Sequence, residues 1–312
     1  MSLPRPLPPF ALLSLLISVA FAHPDYRATQ PTQIEIVAAT QPPSGDARVT
    51  TTTEGERRII TANGLPDHAT GAFPNANNPN RISSQNYRYT MPVHPKPNET
   101  PTILGAQPFG IAVNGVLFDP GTAEFWHNNR QSGWHYDALG GGFSLGLDES
   151  HAHVQPNGAY HYHGIPSALV QRLSDGTSKL ILLGWAADGF PIYGQWGYDQ
   201  PNDPKSLVRV LKSSYQIKSG VRPSSEDQPG GSYNGVFVED FNYVAGSGDL
   251  DECSGRFGVT PEFPDGTYHY VLTDDFPFVP RSFRGTPDPS FARRGPPPGG
   301  GPRGSPKERP LR

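Results

Sequence analysis

A chain of 312 residues with a formal net charge of −4 and 17% charged residues has too little charge imbalance to imply an acidic or basic partner. Its 35 glycines and 36 prolines describe a loop-rich chain and argue against a helical bundle. No apolar run is long enough to span a bilayer, and no aromatic motif is interleaved with Arg or Lys as a nucleic-acid module would require.

In chain order, residues 1–22 read as a secretory signal. Arg5 supplies the positive start, the run from Phe10 to Phe21 is short and apolar, and Ala20-Phe21-Ala22 ends in small residues suited to cleavage after Ala22. The expected location is therefore extracellular, or the periplasm or cell envelope. Cleavage there would leave His23 as an N-terminal residue, whose amine and imidazole can chelate Cu(II), although Pro24 and an extended context follow. Cys253 is the only cysteine, so no intramolecular disulfide can form, and the fold must rest on its core or on a bound ion.

Residues 23–56, rich in Thr, Gln and Pro, read as a disordered linker. Residues 57–285 read as one domain, and residues 286–312 as a disordered Pro/Gly/Arg-rich tail. Within the domain, strand patterns occur at 110–118, 159–163, 179–185, 235–243 and 266–273, with short helices expected at 121–130 and 206–213. The predicted fold class is all-β or strongly β-biased: an antiparallel, two-sheet, sandwich-like domain with long loops and disordered termini. One echo stands out. PNGAYHY at 156–162 returns as PDGTYHY at 264–270, which implies two related hairpin arms.

The densest chemistry lies at 151–164, HAHVQPNGAYHYHG, with four of the ten histidines. A two-residue Asn157-Gly158 loop would send the two His pairs to opposite faces. A three-residue loop, Pro156-Asn157-Gly158, pairs His153 with His161 and His151 with His163 on one face. The turn residues favour the longer loop, with Gly158 at its left-handed position. Directly opposed strand residues have Cβ atoms about 4.5–5.5 Å apart, close enough for imidazoles to share an ion. Imidazole suits Zn, Cu, Ni and Fe, of which Zn or Cu is the expected ion. The candidate metal ligands are His151, His153, His161, His163 and His269, with Asp148, Glu149 and Asp188 as supporting or acid–base groups. The alternative is a packed His/Tyr core without metal.

At Tyr160-His161-Tyr162-His163 the chain resembles the YHYH protein family. The resemblance extends over 63–285 through GLPDHATGAFPNANNPNRI, FDPGTAEFW, HVQPNGAYHYHG, DGFPIYG, LDECSGRFG and PDGTYHYVLTDDFPFVPRSFRG. It implies a secreted or cell-envelope protein, and it implies no particular reaction. There is no P-loop, nucleophile elbow, His-Glu-x-x-His or dinucleotide fingerprint. Three readings follow. The first is a secreted metal-binding β domain. The second is a metal-dependent hydrolase of an ester or phosphoester, with Asp188 or Glu149 as base. The third is a non-catalytic cell-surface interaction module with an unknown cell-surface or small-molecule partner.

Overall fold

The computed structural model describes residues 29–293, so the stretch read as a secretory signal, His23 and the distal tail lie outside the described residues. The β-rich reading holds. Eleven strands form the two principal sheets: β1 (Val49–Glu54), β2 (Arg57–Ala62), β3 (Tyr87–Pro92), β4 (Gly110–Ala112), β5 (Leu117–Phe118), β6 (Ala152–Val154), β7 (Tyr160–Tyr162), β8 (Leu182–Ala186), β9 (Pro191–Tyr193), β10 (Gly255–Thr260) and β11 (Phe263–Val271). Strands β1, β2 and β3 form an antiparallel sheet in that order. The other eight form one sheet in the order β10-β11-β9-β8-β4-β5-β7-β6. This large sheet is mixed, because β5 runs parallel to β7 and β9 parallel to β11.

The two sheets share a core. Ile60 and Met91 of the small sheet pack in one cluster with Ile111, Tyr160, Tyr162, Tyr268 and Tyr270 of the large one. Side chains alternate along a strand. With Tyr160 and Tyr162 in this core, His161 between them must face the other side of the sheet. The same alternation turns His269 away from the core that holds Tyr268 and Tyr270. The Tyr-His-Tyr echo therefore marks related strands, each placed second from one end of the large sheet.

Several sequence expectations change. The stretch read as a linker ends in strand β1, and Val37 within it donates its amide to Leu147 O at 2.8 Å. The start of the stretch read as a tail also belongs to the domain: Phe291 is buried and stacks on Tyr89 at 4.2 Å, and Asp288 pairs with Arg57. The helix expected at 206–213 is instead a short strand, Val208–Val210, paired with Trp196–Tyr198, where β-branched valines suit an extended edge. At 121–130, regular helix is replaced by 3-10 turns at Trp126–Asn128 and Arg130–Ser132. The strand expected at 235–243 is confined to Phe241–Tyr243. The one α-helix among the described residues, α1 (Ser167–Leu173), follows the histidine hairpin and buries Leu169.

Three side-chain hydrogen bonds pin the core side of the histidine hairpin, one of them between His68 Nε2 and Tyr162 Oη at 2.7 Å. Tyr160 donates to Asp148 Oδ2 at 2.7 Å, and Asn114 Nδ2 donates to Tyr162 Oη at 3.0 Å. Asp148 also accepts from the Gly71 and Ser150 amides, at 3.0 Å each. Hydrogen bonds to a charged group contribute about 1.5–3 kcal/mol. Tyr160→Phe should therefore lower unfolding free energy by about that amount, read as a reduced urea midpoint at constant m-value.

Candidate metal centre

The hairpin forms as its turn residues require. Gln155 and Ala159 close a three-residue loop, with Gln155 N to Ala159 O at 2.9 Å, and Gly158 takes φ 84°. A Cβ at Gly158 would also meet Ser83 Oγ at 1.9 Å, so both conformation and space call for glycine. The register sets His153 opposite His161. Strand β7 ends at Tyr162, and the chain carries His163 on to the same face, two residues after His161.

Three rings converge. The ring centroids of His153 and His161 are 4.6 Å apart, those of His153 and His163 4.9 Å, and those of His161 and His163 4.7 Å. One nitrogen from each ring lies within 4.8 Å of the others. His161 and His163 are buried, while His153 keeps partial contact with solvent.

The hydrogen bonds decide which nitrogens are free. His161 Nδ1 lies 3.2 Å from Ala159 O. His153 Nδ1 lies 3.2 Å from Leu145 O and also 3.2 Å from Asn78 Nδ2. With its proton on Nδ1, His153 donates to Leu145 O as His161 donates to Ala159 O, while Asn78 Nδ2 donates to Val154 O at 3.0 Å. Both rings then present Nε2 lone pairs, held in orientation by backbone carbonyls as metal-ligating histidines commonly are. Neither nitrogen of His163 has a hydrogen-bond partner, although both are buried. The Pro120 carbonyl lies close enough to favour the protonated ring slightly, without the geometry of a hydrogen bond.

The rings are held neutral. Burial, followed by repulsion from His161, pushes His153 down to about 3; burial pushes His161 down to about 4. His163 falls well below the usual imidazole range, through burial and then through its two histidine neighbours. Neutral imidazole is the form that binds a metal, so binding displaces few protons at ordinary pH.

The remaining candidates sit elsewhere. His151 opposes His163 through the backbone, His163 N to His151 O at 2.8 Å, but φ 52° at His151 breaks the strand alternation. Its ring turns to Ile165 O at 3.1 Å and lies outside the three-ring cluster. His269 lies near the opposite end of the large sheet. Asp148 is on the core side, engaged by Tyr160, and Glu149 accepts from the exposed Ala39 amide at 3.1 Å. Asp188 belongs to the other half of the sheet, where it accepts from Tyr270 at 2.5 Å and from Gly285 N at 2.8 Å. The sequence reading missed Asp119. This buried carboxylate accepts from Gln155 Nε2 at 3.1 Å, pairs with Arg293, and favours a charged His153. Asp119-Pro120-Gly121 reads locally as a turn, and its partners come from distant segments, so spacing offers no signal for it.

The depressed histidine pKa makes stability depend on pH. In the metal-free protein His161 titrates near 4 when folded against 6.5 when unfolded. The neutral ring thus contributes stability that is fully present above about pH 6.5 and is lost as pH falls towards 4. A shift of this size corresponds to at most about 3.5 kcal/mol. The urea midpoint of the metal-free protein should fall across this window, and His161→Gln should flatten the slope.

No curated protein and no solved structure matches the chain. Residues 88–285, which include all three clustered histidines, match the model of the family described as YHYH protein, and the chain belongs to that family.

Proposed function

We propose that this YHYH protein is secreted and binds one transition-metal ion, Zn or Cu, through His153, His161 and His163. The observation that carries the reading is His163, a buried imidazole with both nitrogens unpartnered in the middle of a three-ring cluster. Burying a polar group without a hydrogen bond is costly, and an ion at this point would offset that cost. Two rings hold Nδ1 against backbone carbonyls, which leaves their other nitrogens for a ligand. A tetrahedral ion with metal–nitrogen distances of about 2.0–2.1 Å holds its ligands roughly 3.3 Å apart, within reach of small ring rotations. Secretion rests on the leader-like pattern at residues 1–22.

A second reading, the metal-dependent hydrolase, has one supporting observation. Three protein ligands leave a coordination position for water or substrate, whereas a structural site is normally closed by four. Asp188 and Glu149 are not at the cluster, so the base in that reading would be Asp119, released from Arg293 or Gln155.

The test is elemental analysis of tag-free protein purified without chelators. Near one equivalent of Zn or Cu in the wild type is expected, falling at least tenfold in His163→Ala with its near-ultraviolet circular dichroism retained. A wild type that stays metal-free after reloading would overturn the reading. If the hydrolase reading is correct, the loaded protein should turn over a nitrophenyl ester or phosphoester and lose that activity on chelation.

A further inference from the structure

The two halves of the large sheet repeat each other. Ile111 of β4 pairs with Trp185 of β8 at the centre, flanked by Gly110–Ala186 on one side and Ala112–Gly184 on the other. Aligning Gly110-Ile111-Ala112 with Gly184-Trp185-Ala186 exchanges these two flanking pairs, as a two-fold axis through the Ile111–Trp185 pair would. Outward from that axis each half shows the same succession: an antiparallel neighbour, a parallel strand, then a hairpin arm.

Side-chain interactions repeat as well. Leu147-Asp148-Glu149-Ser150 corresponds to Leu250-Asp251-Glu252-Cys253. Asp148 accepts from Ser150 N at 3.0 Å and from Tyr160, while Asp251 accepts from Cys253 N at 2.9 Å and from Tyr268 at 2.9 Å. The next residue is left-handed in both copies, His151 at φ 52° and Ser254 at φ 56°. Asn114 donates to the Tyr162 hydroxyl, and at the corresponding position Asp188 accepts from the Tyr270 hydroxyl. His161 Nδ1 faces Ala159 O at 3.2 Å, and His269 Nδ1 faces Thr267 O at 3.3 Å.

The positions of the three-histidine centre can therefore be located in the second half. His161 corresponds to His269, which is buried with Nε2 unpartnered. His153, opposite His161, corresponds to Arg256, opposite His269. His163 corresponds to Val271, which packs with Leu211 and Leu250. We infer that the chain is a tandem duplication of one four-strand unit, and that its second copy retains a metal position at His269, disabled by Arg256 and Val271. This inference rests on the metal reading of the first copy. Arginine cannot deprotonate to become a ligand, and valine has no donor atom. Arg256 donates to Tyr198 O at 2.7 Å and, opposite His269 across the strands, places a fixed positive charge that opposes a cation there. The protein is accordingly asymmetric, with one metal for two copies.

The test restores the second position with Arg256→His/Val271→His in the full chain, loaded with Co(II) or Zn(II) and counted by elemental analysis. One equivalent in the wild type and two in the restored variant are expected. Adding His161→Ala/His163→Ala to the restored variant should return the count to one. A folded restored variant that stays at one equivalent overturns the duplication-derived site alone, whereas a wild type with none overturns both this inference and the metal reading. Should the restored variant fail to fold, the reciprocal exchange His153→Arg/His163→Val decides. It is expected to be folded and metal-free, with a melting temperature no lower than that of His153→Ala/His163→Ala. A lower one means that the two environments are not equivalent, and overturns the inference.

Discussion

The hydrogen bond from Tyr160 to Asp148 sets the orientation of the strand on which the rest of the site depends. Its donor and acceptor are both buried, and Asp148 is further held by backbone amides. Burial pushes the Asp148 carboxyl up, while these hydrogen bonds favour its charged form. With Tyr160 and Tyr162 committed to the core, a strand of period two has no freedom left for the residues between and after them. His161 and His163 must face the opposite side. One slip in register would exchange tyrosines and histidines and lose both arrangements.

That constraint explains why the tyrosines and histidines come as an alternating motif. The tyrosines supply apolar bulk and a polar tip that finds a partner inside the core. The histidines supply a polar face beneath the covering loops. The same division of labour appears twice in the sheet, with Tyr268 and Tyr270 on the core side and His269 opposite. Among the described residues, only at β6 and β7 do a cross-strand partner and a following residue complete a set of three imidazoles.

Much of the hairpin was legible in the sequence. Pro156-Asn157-Gly158 specifies a three-residue loop, and that loop specifies the His153–His161 register. The small residues beside the central axis are less legible: a Cβ at Gly184 would stand 2.3 Å from Ile111 O, a requirement imposed by a strand distant in the chain. The helix expected at 206–213 is a strand because Val208–Val210 finds Trp196–Tyr198 as a partner, and local propensity yields to that pairing. The stretches read as linker and tail are drawn into the domain at β1 and Phe291 by contacts with segments far away in sequence.

The sequence by itself determined the β-rich class, the turn chemistry, the family resemblance and the concentration of imidazole at one hairpin, because each of these is written in local pattern and composition. Tertiary structure alone decided which histidines meet. His151 carries the same side chain as its neighbours but sits in a left-handed turn that aims it at Ile165 O. His269 shares the Tyr-His-Tyr context but lies towards the other end of the sheet. Asp119 and Leu145 reach the cluster by loop paths that no spacing rule describes. Convergence of side chains is a property of the backbone path between them, and that path depends on long-range pairings that composition and periodicity do not encode.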